Sequence, residues 1–374
     1  MIENPVRTVS FAHKLSGRVS LNSPVLRFPR NPILTPSDVN RIWTSPALKT
    51  ITVHNAAVTK HHNAFIMLFR SHTRCGRSVL GLARSSNGID QWNVQPHPAL
   101  LPAQPHDTFA SGVDAQEQIE TESGGVEDPR ITKINTLFAV TYSAYHQHAP
   151  NRVRVCLATT EDFKRFTRHG PMLKQDMRNV VIFPEPINKR FAALFRPNDM
   201  TQGDTGGIFT EIRLGTSTDW KSGNWKIKKE PVMKTGAGPG AFSDKIGPGA
   251  PPVKTEKGWL NLFHGVRKTM DGNPYVLGVA LHDLDNPAHV RMASIPILFP
   301  SRADCRIDQE DYAHVPNVVF SCAMLRQENG TLIIYYGGND TVMNCAATHE
   351  DILSELCIRY GQDPKSGELL YRLE

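Results

Sequence analysis

The chain has 374 residues and a formal charge of +6; it is 40% hydrophobic and 21% charged, with 27 Gly and 27 Pro. That balance excludes a disordered chain and a strongly basic nucleic-acid binder, and its Gly and Pro favour a turn-rich, mostly β protein. No stretch reaches the length of about eighteen apolar residues that a membrane span needs, and the first residues lack the apolar core of a signal peptide. The six cysteines form no CxxC pair, so a reduced, cytoplasmic protein is predicted, with no disulfide framework, no metal site and no membrane or nucleic-acid partner.

Residues 1–40 read as an N-terminal arm. Pro5, Pro24, Pro29, Pro32 and Pro36 argue against long helices, and Asn31-Pro-Ile-Leu-Thr-Pro36 reads as an extended lead-in. Arg7, Lys14, Arg18, Arg27 and Arg30 outweigh Glu3 and Asp38, which fits a solvated arm or a contact between copies in a homo-oligomer.

From residue 41 to 374 the chain repeats one unit: an apolar opening strand with a polar or Pro break, a short turn, a second apolar strand, and a closing strand that ends at an Asp or Asn turn. The opening strands are Val53–Val58, Val126–Ile131, Val180–Ile187, Gly249–Val253 and Val315–Phe320. The second strands are Ala64–Arg70, Leu137–Tyr142, Phe191–Arg196, Trp259–His264 and Leu332–Tyr336. Asn55, Asp128, Phe183, Pro251 and Asn317 serve as equivalent points, at intervals of about 55–75 residues. Five such units without a helix-length periodic segment between them predict an all-β fold, a five-bladed β-propeller forming one domain, in preference to a sandwich or jelly roll. Ile352, Leu353 and Leu356 have helical spacing and predict a short C-terminal helix over His349–Cys357.

Strands that fan out from a central channel bring their polar breaks together near its axis. Asn55, Arg70, Asp128, Arg196, Lys245, His264 and Asp340 are the candidates. Two carboxylates against three permanent cations, an imidazole and an amide suit an anionic ligand beside a polyhydroxylated one. The run Asp244-Lys-Ile-Gly-Pro-Gly-Ala-Pro-Pro252 is Gly/Pro-rich but lacks the spacing of a nucleotide-binding loop.

The motifs Asn31-Pro-Ile-Leu, Val53-His-Asn-Ala-Ala-Val, Glu127-Asp-Pro-Arg, Phe183-Pro-Glu, Arg196-Pro, Lys245-Ile-Gly, His264-Gly and Tyr335-Tyr-Gly-Gly-Asn-Asp-Thr-Val342 occur in this order. Together they resemble glycoside hydrolase family 130, the β-mannoside phosphorylases, over about residues 31–356. The resemblance implies a five-bladed β-propeller that cleaves a β-mannoside oligosaccharide or mannosyl-glucose with inorganic phosphate, inverting the anomeric centre to give α-mannose 1-phosphate. Phosphate is then a co-substrate, and no cofactor is implied. The family's catalytic acid falls on Asp128, and it delivers its proton through a hydroxyl of the bound mannosyl unit. Contacts to that sugar fall on Asn55, Arg70 and Asp340; Arg196, Lys245, His264 and, by a looser match, Tyr275 fall on the phosphate side. Asn55-Ala56 stands where relatives often have Asn-Ser, and the loop after Lys245 departs from the family pattern. An inverting hydrolase needs a second carboxylate as base, for which Glu185 and Asp340 are the candidates. A β-mannosidase is therefore the alternative, with a non-catalytic glycan-binding propeller behind it. Residues 97–125, with His106, Asp107 and Asp114, and the segment 198–211 are expected on the acceptor side.

Overall fold

The computed structural model describes residues 4–197, 210–236, 240–270, 272–307 and 313–370. Its strands fall into five antiparallel units, as the repeat predicts. They open with Thr50–His61, Gly125–Ile134, Met177–Ile182, Lys245–Pro248 and Val319–Arg326. The fourth differs from the expected Gly249–Val253: the strand lies just before it, and the Gly/Pro-rich residues 249–252 form no ladder, since proline lacks the N–H that a ladder needs. The fifth starts at Val319 rather than Val315. The second strands are Ala64–Thr73, Leu137–His146, Phe191–Pro197, Gly258–Val266 and Thr331–Gly338, each starting within one residue of its expected place. The third are Ser78–Ser85, Ala149–Thr160, Glu211–Ser217, Tyr275–His282 and Val342–His349.

Local chemistry explains the repeat. At the ends of three closing strands the Asp side chain caps its own turn: Asp162 Oδ1 accepts from the backbone of Lys164 and Arg165, Asp219 from Lys221, and Asp283 from Asp285 and Asn286. Within the units, a Phe on the second strand lies over a Gly on the third. A Cβ at Gly81, Gly215 or Gly278 would come within 2.5 Å of Phe69, Phe195 or Phe263 respectively, so a larger residue there would collide with a core ring.

Opening strands pack on one another in sequence. Thr50–His61 touches Gly125–Ile134, which touches Met177–Ile182, which touches Lys245–Pro248. Gly258–Val266 and Tyr275–His282 of the fourth unit touch Val319–Arg326, and that strand returns to Thr50–His61. The first and second units also share a sheet through a parallel bridge between Ser78 and Gly125.

Two further expectations need correction. Residues 97–125 contain a helix, Ala115–Glu122, capped by Asp114, where no helix was expected. Its inward face buries Gln118, Thr121 and Glu122 rather than an apolar stripe, so the sequence shows no helical period. Glu122 is held instead by Arg168 (2.5 Å) and the Tyr142 hydroxyl (2.6 Å), and Asp107 pairs with Arg168 at 3.1 Å. The arm, for its part, is packed rather than solvated. Val6–Phe11 and Leu15–Ser20 form a hairpin whose Val9, Phe11, Leu15 and Val19 enter the main core. Leu26–Arg27 adds a fourth strand beside Val342–His349, and the buried Asn31 side chain exchanges hydrogen bonds with both backbone groups of Cys345, each 3.0 Å. The C-terminal helix spans Glu350–Arg359, with His349 as its cap.

Candidate active site

In each of the first three opening strands the ladder slips by a bulge: at His54/Ala57, between Glu127 and Arg130, and at Arg178/Val181. The bulges hold Asn55, Asp128 and Asn179 at φ 48°, 49° and 54°. Asn and Asp tolerate this left-handed backbone better than other non-glycine residues, and a bulge re-aims the side chain it carries. That is why the equivalent polar positions converge. The third unit's equivalent point is Asn179, not Phe183, whose ring is fully buried in the core.

The first three sequence-predicted residues meet directly. Asp128 Oδ1 accepts from Asn55 Nδ2 at 3.0 Å and from Arg70 Nη1 at 3.1 Å, while Arg70 Nη2 lies 2.8 Å from Glu127 Oε1. Arg130, 2% exposed, fixes the acid's backbone by donating from Nη1 to the Asp128 carbonyl (2.8 Å). It also donates to the Gly249 carbonyl (3.1 Å) and to Asn179 Oδ1 (3.0 Å), joining the second, third and fourth units. Burial works to raise the Asp128 carboxyl, but Arg70, Arg130 and the Asn55 amide outweigh it and hold the group well below the usual carboxylate range.

Asp340, at φ 48° just before the strand Val342–His349, lies within electrostatic reach of Arg70, Asp128 and Glu127. Burial pushes its carboxyl up to about 6; Arg70 opposes the shift and the two neighbouring carboxylates reinforce it. Its folded value exceeds the ordinary 3.8, so the stability it contributes is complete below pH 4 and is lost as pH rises through about 6. Wild type should therefore lose about 3 kcal/mol relative to Asp340→Asn between roughly pH 4 and pH 7. Denaturant unfolding across that range checks this, and parallel curves would mean a solvated carboxyl.

A second cluster is cationic. Arg178 and Arg196 face each other directly across the third unit's ladder, where like charges repel. Burial and Arg178 push Arg196 down to about 10; burial, Arg196 and Arg178 lower Lys245 as well. Among the described residues none of these three cations has an ion pair, and Arg196 Nε is buried without a hydrogen-bond partner. His264 stacks near Tyr275 (6.0 Å) and Phe320 (4.5 Å). Burial, then Arg196 and Arg130, hold its ring well below the ordinary histidine value, so it is neutral. Gly247 is needed here: a Cβ would stand 2.6 Å from His264 Cε1 and 2.9 Å from Arg196 Cδ.

The predicted residues thus gather into two neighbouring groups, Asn55, Arg70, Asp128 and Asp340 in one, Arg196, Lys245, His264 and Tyr275 in the other. Asp128 reaches both, since it acts electrostatically on His264 and Tyr275. Sequence reasoning gave no role to Arg130, Arg178, Asn179 or Tyr145, whose ring lies 5.3 Å from the Arg178 guanidinium; Glu127 stood only as the neighbour of Asp128 in its motif. The polar pair Arg178-Asn179 in an otherwise apolar opening strand was the available signal. Glu185 is half exposed and pairs with Lys254. Of the segment 198–211, residues 198–209 lie outside the described residues.

A family model described as β-1,4-mannooligosaccharide phosphorylase matches residues 24–358. A 1,2-β-oligomannan phosphorylase from a Thermoanaerobacter species is 30% identical over 86% of this chain and 95% of its own. A β-1,4-mannooligosaccharide phosphorylase from Ruminococcus albus is 28% identical over 84% of this chain and 88% of its own. Among solved structures, that of β-1,2-mannobiose phosphorylase from Listeria innocua with β-1,2-mannobiose superposes with a TM-score of 0.71 at 25% identity, covering 89% of this chain and 99% of that one.

Proposed function

The chain belongs to glycoside hydrolase family 130, and from that membership we infer an enzyme of glycosyl-transfer type, a phosphorylase that cleaves β-mannosides with inorganic phosphate. We read its five units as the blades of a propeller, which the cyclic order of contacts between them supports. Six free cysteines, four of them buried, fit a reducing compartment such as the cytoplasm.

The observation that carries this reading is the cluster Arg178, Arg196 and Lys245, three cations that form no ion pair among the described residues and stand beside a buried acid. Like charges held together in a buried site are stabilised by an anion, and phosphate supplies both that charge and the nucleophile. In the proposed step a phosphate oxygen bonds to C1 of the mannosyl unit from the face opposite the leaving group. The C1–O glycosidic bond breaks, and the departing oxygen receives the proton of Asp128 through a sugar hydroxyl, giving α-mannose 1-phosphate and the shortened acceptor. Asn55, Arg70 and Asp340 hold the sugar; Arg178, Arg196, Lys245, His264 and Tyr275 hold phosphate. Arg70, Arg130 and the Asn55 amide keep Asp128 ionised, and an arriving anion offsets those cations, allowing it to carry a proton.

Hydrolysis would need a carboxylate to deprotonate water on the phosphate side. Glu185 is engaged at the surface and Asp340 sits with the sugar group, so neither favours it. The test is the product. Manno-oligosaccharides should yield mannose 1-phosphate only when phosphate is present, whereas equal release of free mannose with and without phosphate would make the enzyme a hydrolase. Running the reaction backwards from α-mannose 1-phosphate with a panel of acceptors reads out the linkage.

A further inference from the structure

A second buried carboxylate stands beside Asp128, and the reaction above gives it no task. Arg70 reaches Glu127 Oε1 at 2.8 Å with one terminal nitrogen and Asp128 Oδ1 at 3.1 Å with the other, so one guanidinium bridges two carboxylates. Glu127 is fixed from its other side: Ser78 Oγ donates to the same Oε1 at 2.8 Å and lies 3.1 Å from His72 Nδ1. Ser78 is itself held by the parallel bridge to Gly125, at the junction of the first two units. Gly125 has φ 136°, and a Cβ there would stand 2.9 Å from the Ser78 nitrogen, so only glycine lets the units approach this closely. The distance from Glu127 to Arg70 is therefore built into the unit junction.

We propose, resting on the phosphorylase reading, that Glu127 is a positioning residue of the reaction: it holds one edge of the Arg70 guanidinium, divides that cation between two carboxylates, and so leaves Asp128 able to take up and deliver a proton. The balance around the pair makes this matter. Arg70, Arg130 and His54 act on Asp128; burial and Asp128 push the Glu127 carboxyl up, and Arg70, the Ser78 hydrogen bond and Arg178 oppose that. Asp340 and Tyr145 face both carboxylates, while His264 and Tyr275 lie on the phosphate side of Asp128. With Glu127 neutral, a negative neighbour is lost and Arg70 turns wholly to Asp128; both changes favour the ionised acid.

Glu127→Gln keeps the shape and removes the charge. The alkaline limb of its pH–rate profile for phosphorolysis should move to lower pH by about one unit or more, so that turnover on that limb falls about tenfold or more. Ser78→Ala should move the limb the same way by less. A uniform loss at every pH, with the limb in place, would reduce Glu127 to a packing residue and overturn the proposal. A crystal structure of Glu127→Ala gives a readout that needs no substrate: Arg70 should close on both oxygens of Asp128, and a guanidinium left where it is would count against the idea equally. If the wild type cleaves no β-mannoside with phosphate, the functional reading falls, while this structural outcome still decides the role of Glu127.

Discussion

Asp128→Asn should lower phosphate-dependent turnover of a β-mannoside by about 10²- to 10⁴-fold, the range over which a positioned general acid contributes. The substitution is clean because of the backbone. Asp128 sits at φ 49° in a bulge, and Asn is the residue that best tolerates that conformation without a glycine's freedom. The hydrogen bonds from Asn55 and Arg70 keep an acceptor oxygen, and the Arg130 contact is made to the backbone and is untouched. The shape is kept, while the carboxylate's charge and its ability to carry a proton are lost. Circular dichroism and thermal unfolding should show an intact fold, and initial rates with saturating phosphate measure the loss. A variant that kept more than about a tenth of wild-type turnover would move the acid to Glu127 or Asp340.

Arg196→Met should separate catalysis from stability in opposite directions. Arg196 faces Arg178, its Nε has no hydrogen-bond partner among the described residues, and burial penalises its charge. A methionine of similar length fills the space without that repulsion, so the unliganded variant should unfold no earlier than wild type. Function should suffer in proportion to the lost contact. One charge-assisted hydrogen bond to an ionised ligand is worth about 1.5–3 kcal/mol, and a guanidinium can make two, so KM for phosphate should rise about a hundredfold or more. Wild type should gain thermal stability with added phosphate, and the variant should gain almost none. Lys245→Ala, which removes a half-buried amine, should weaken phosphate about tenfold. If Arg196→Met left the phosphate dependence unchanged while sugar affinity fell, the anion would belong nearer Arg130.

The second strands were legible because their signal is local: five to eight apolar residues bounded by turn formers need no partner to be recognised. The third opening strand was placed late, starting at Val180 rather than Met177, because its first residues include Arg178 and Asn179, which break the apolar run. Those same residues belong to the site. Arg130 escaped for another reason: next to a recognisable Asp-Pro it reads as one more strand-end charge, and only the folded chain shows its contacts with two neighbouring units. The helix Ala115–Glu122 was invisible because its buried face is polar and is satisfied by Arg168 and Tyr142 from distant positions. Signals carried by one segment were readable; those carried by the meeting of units were not. The arm falls between these cases: its alternating apolar residues were present in the sequence, but only the folded chain shows Val9, Phe11, Leu15 and Val19 entering the chain's own core.

The pairing of Leu26–Arg27 with Val342–His349 has a consequence for how the protein is made. Leu26–Arg27 leaves the ribosome about 315 residues before its partner Val342–His349 begins to appear. At roughly 5–20 residues per second the wait is on the order of half a minute, during which the nascent chain carries an unmatched edge. The pairing then joins segments from both sides of the five units in one step, in the manner of a clasp. A nick in the arm would leave every catalytic side chain in place and still release the clasp, so limited proteolysis should inactivate the enzyme by way of unfolding, at a distance from its chemistry.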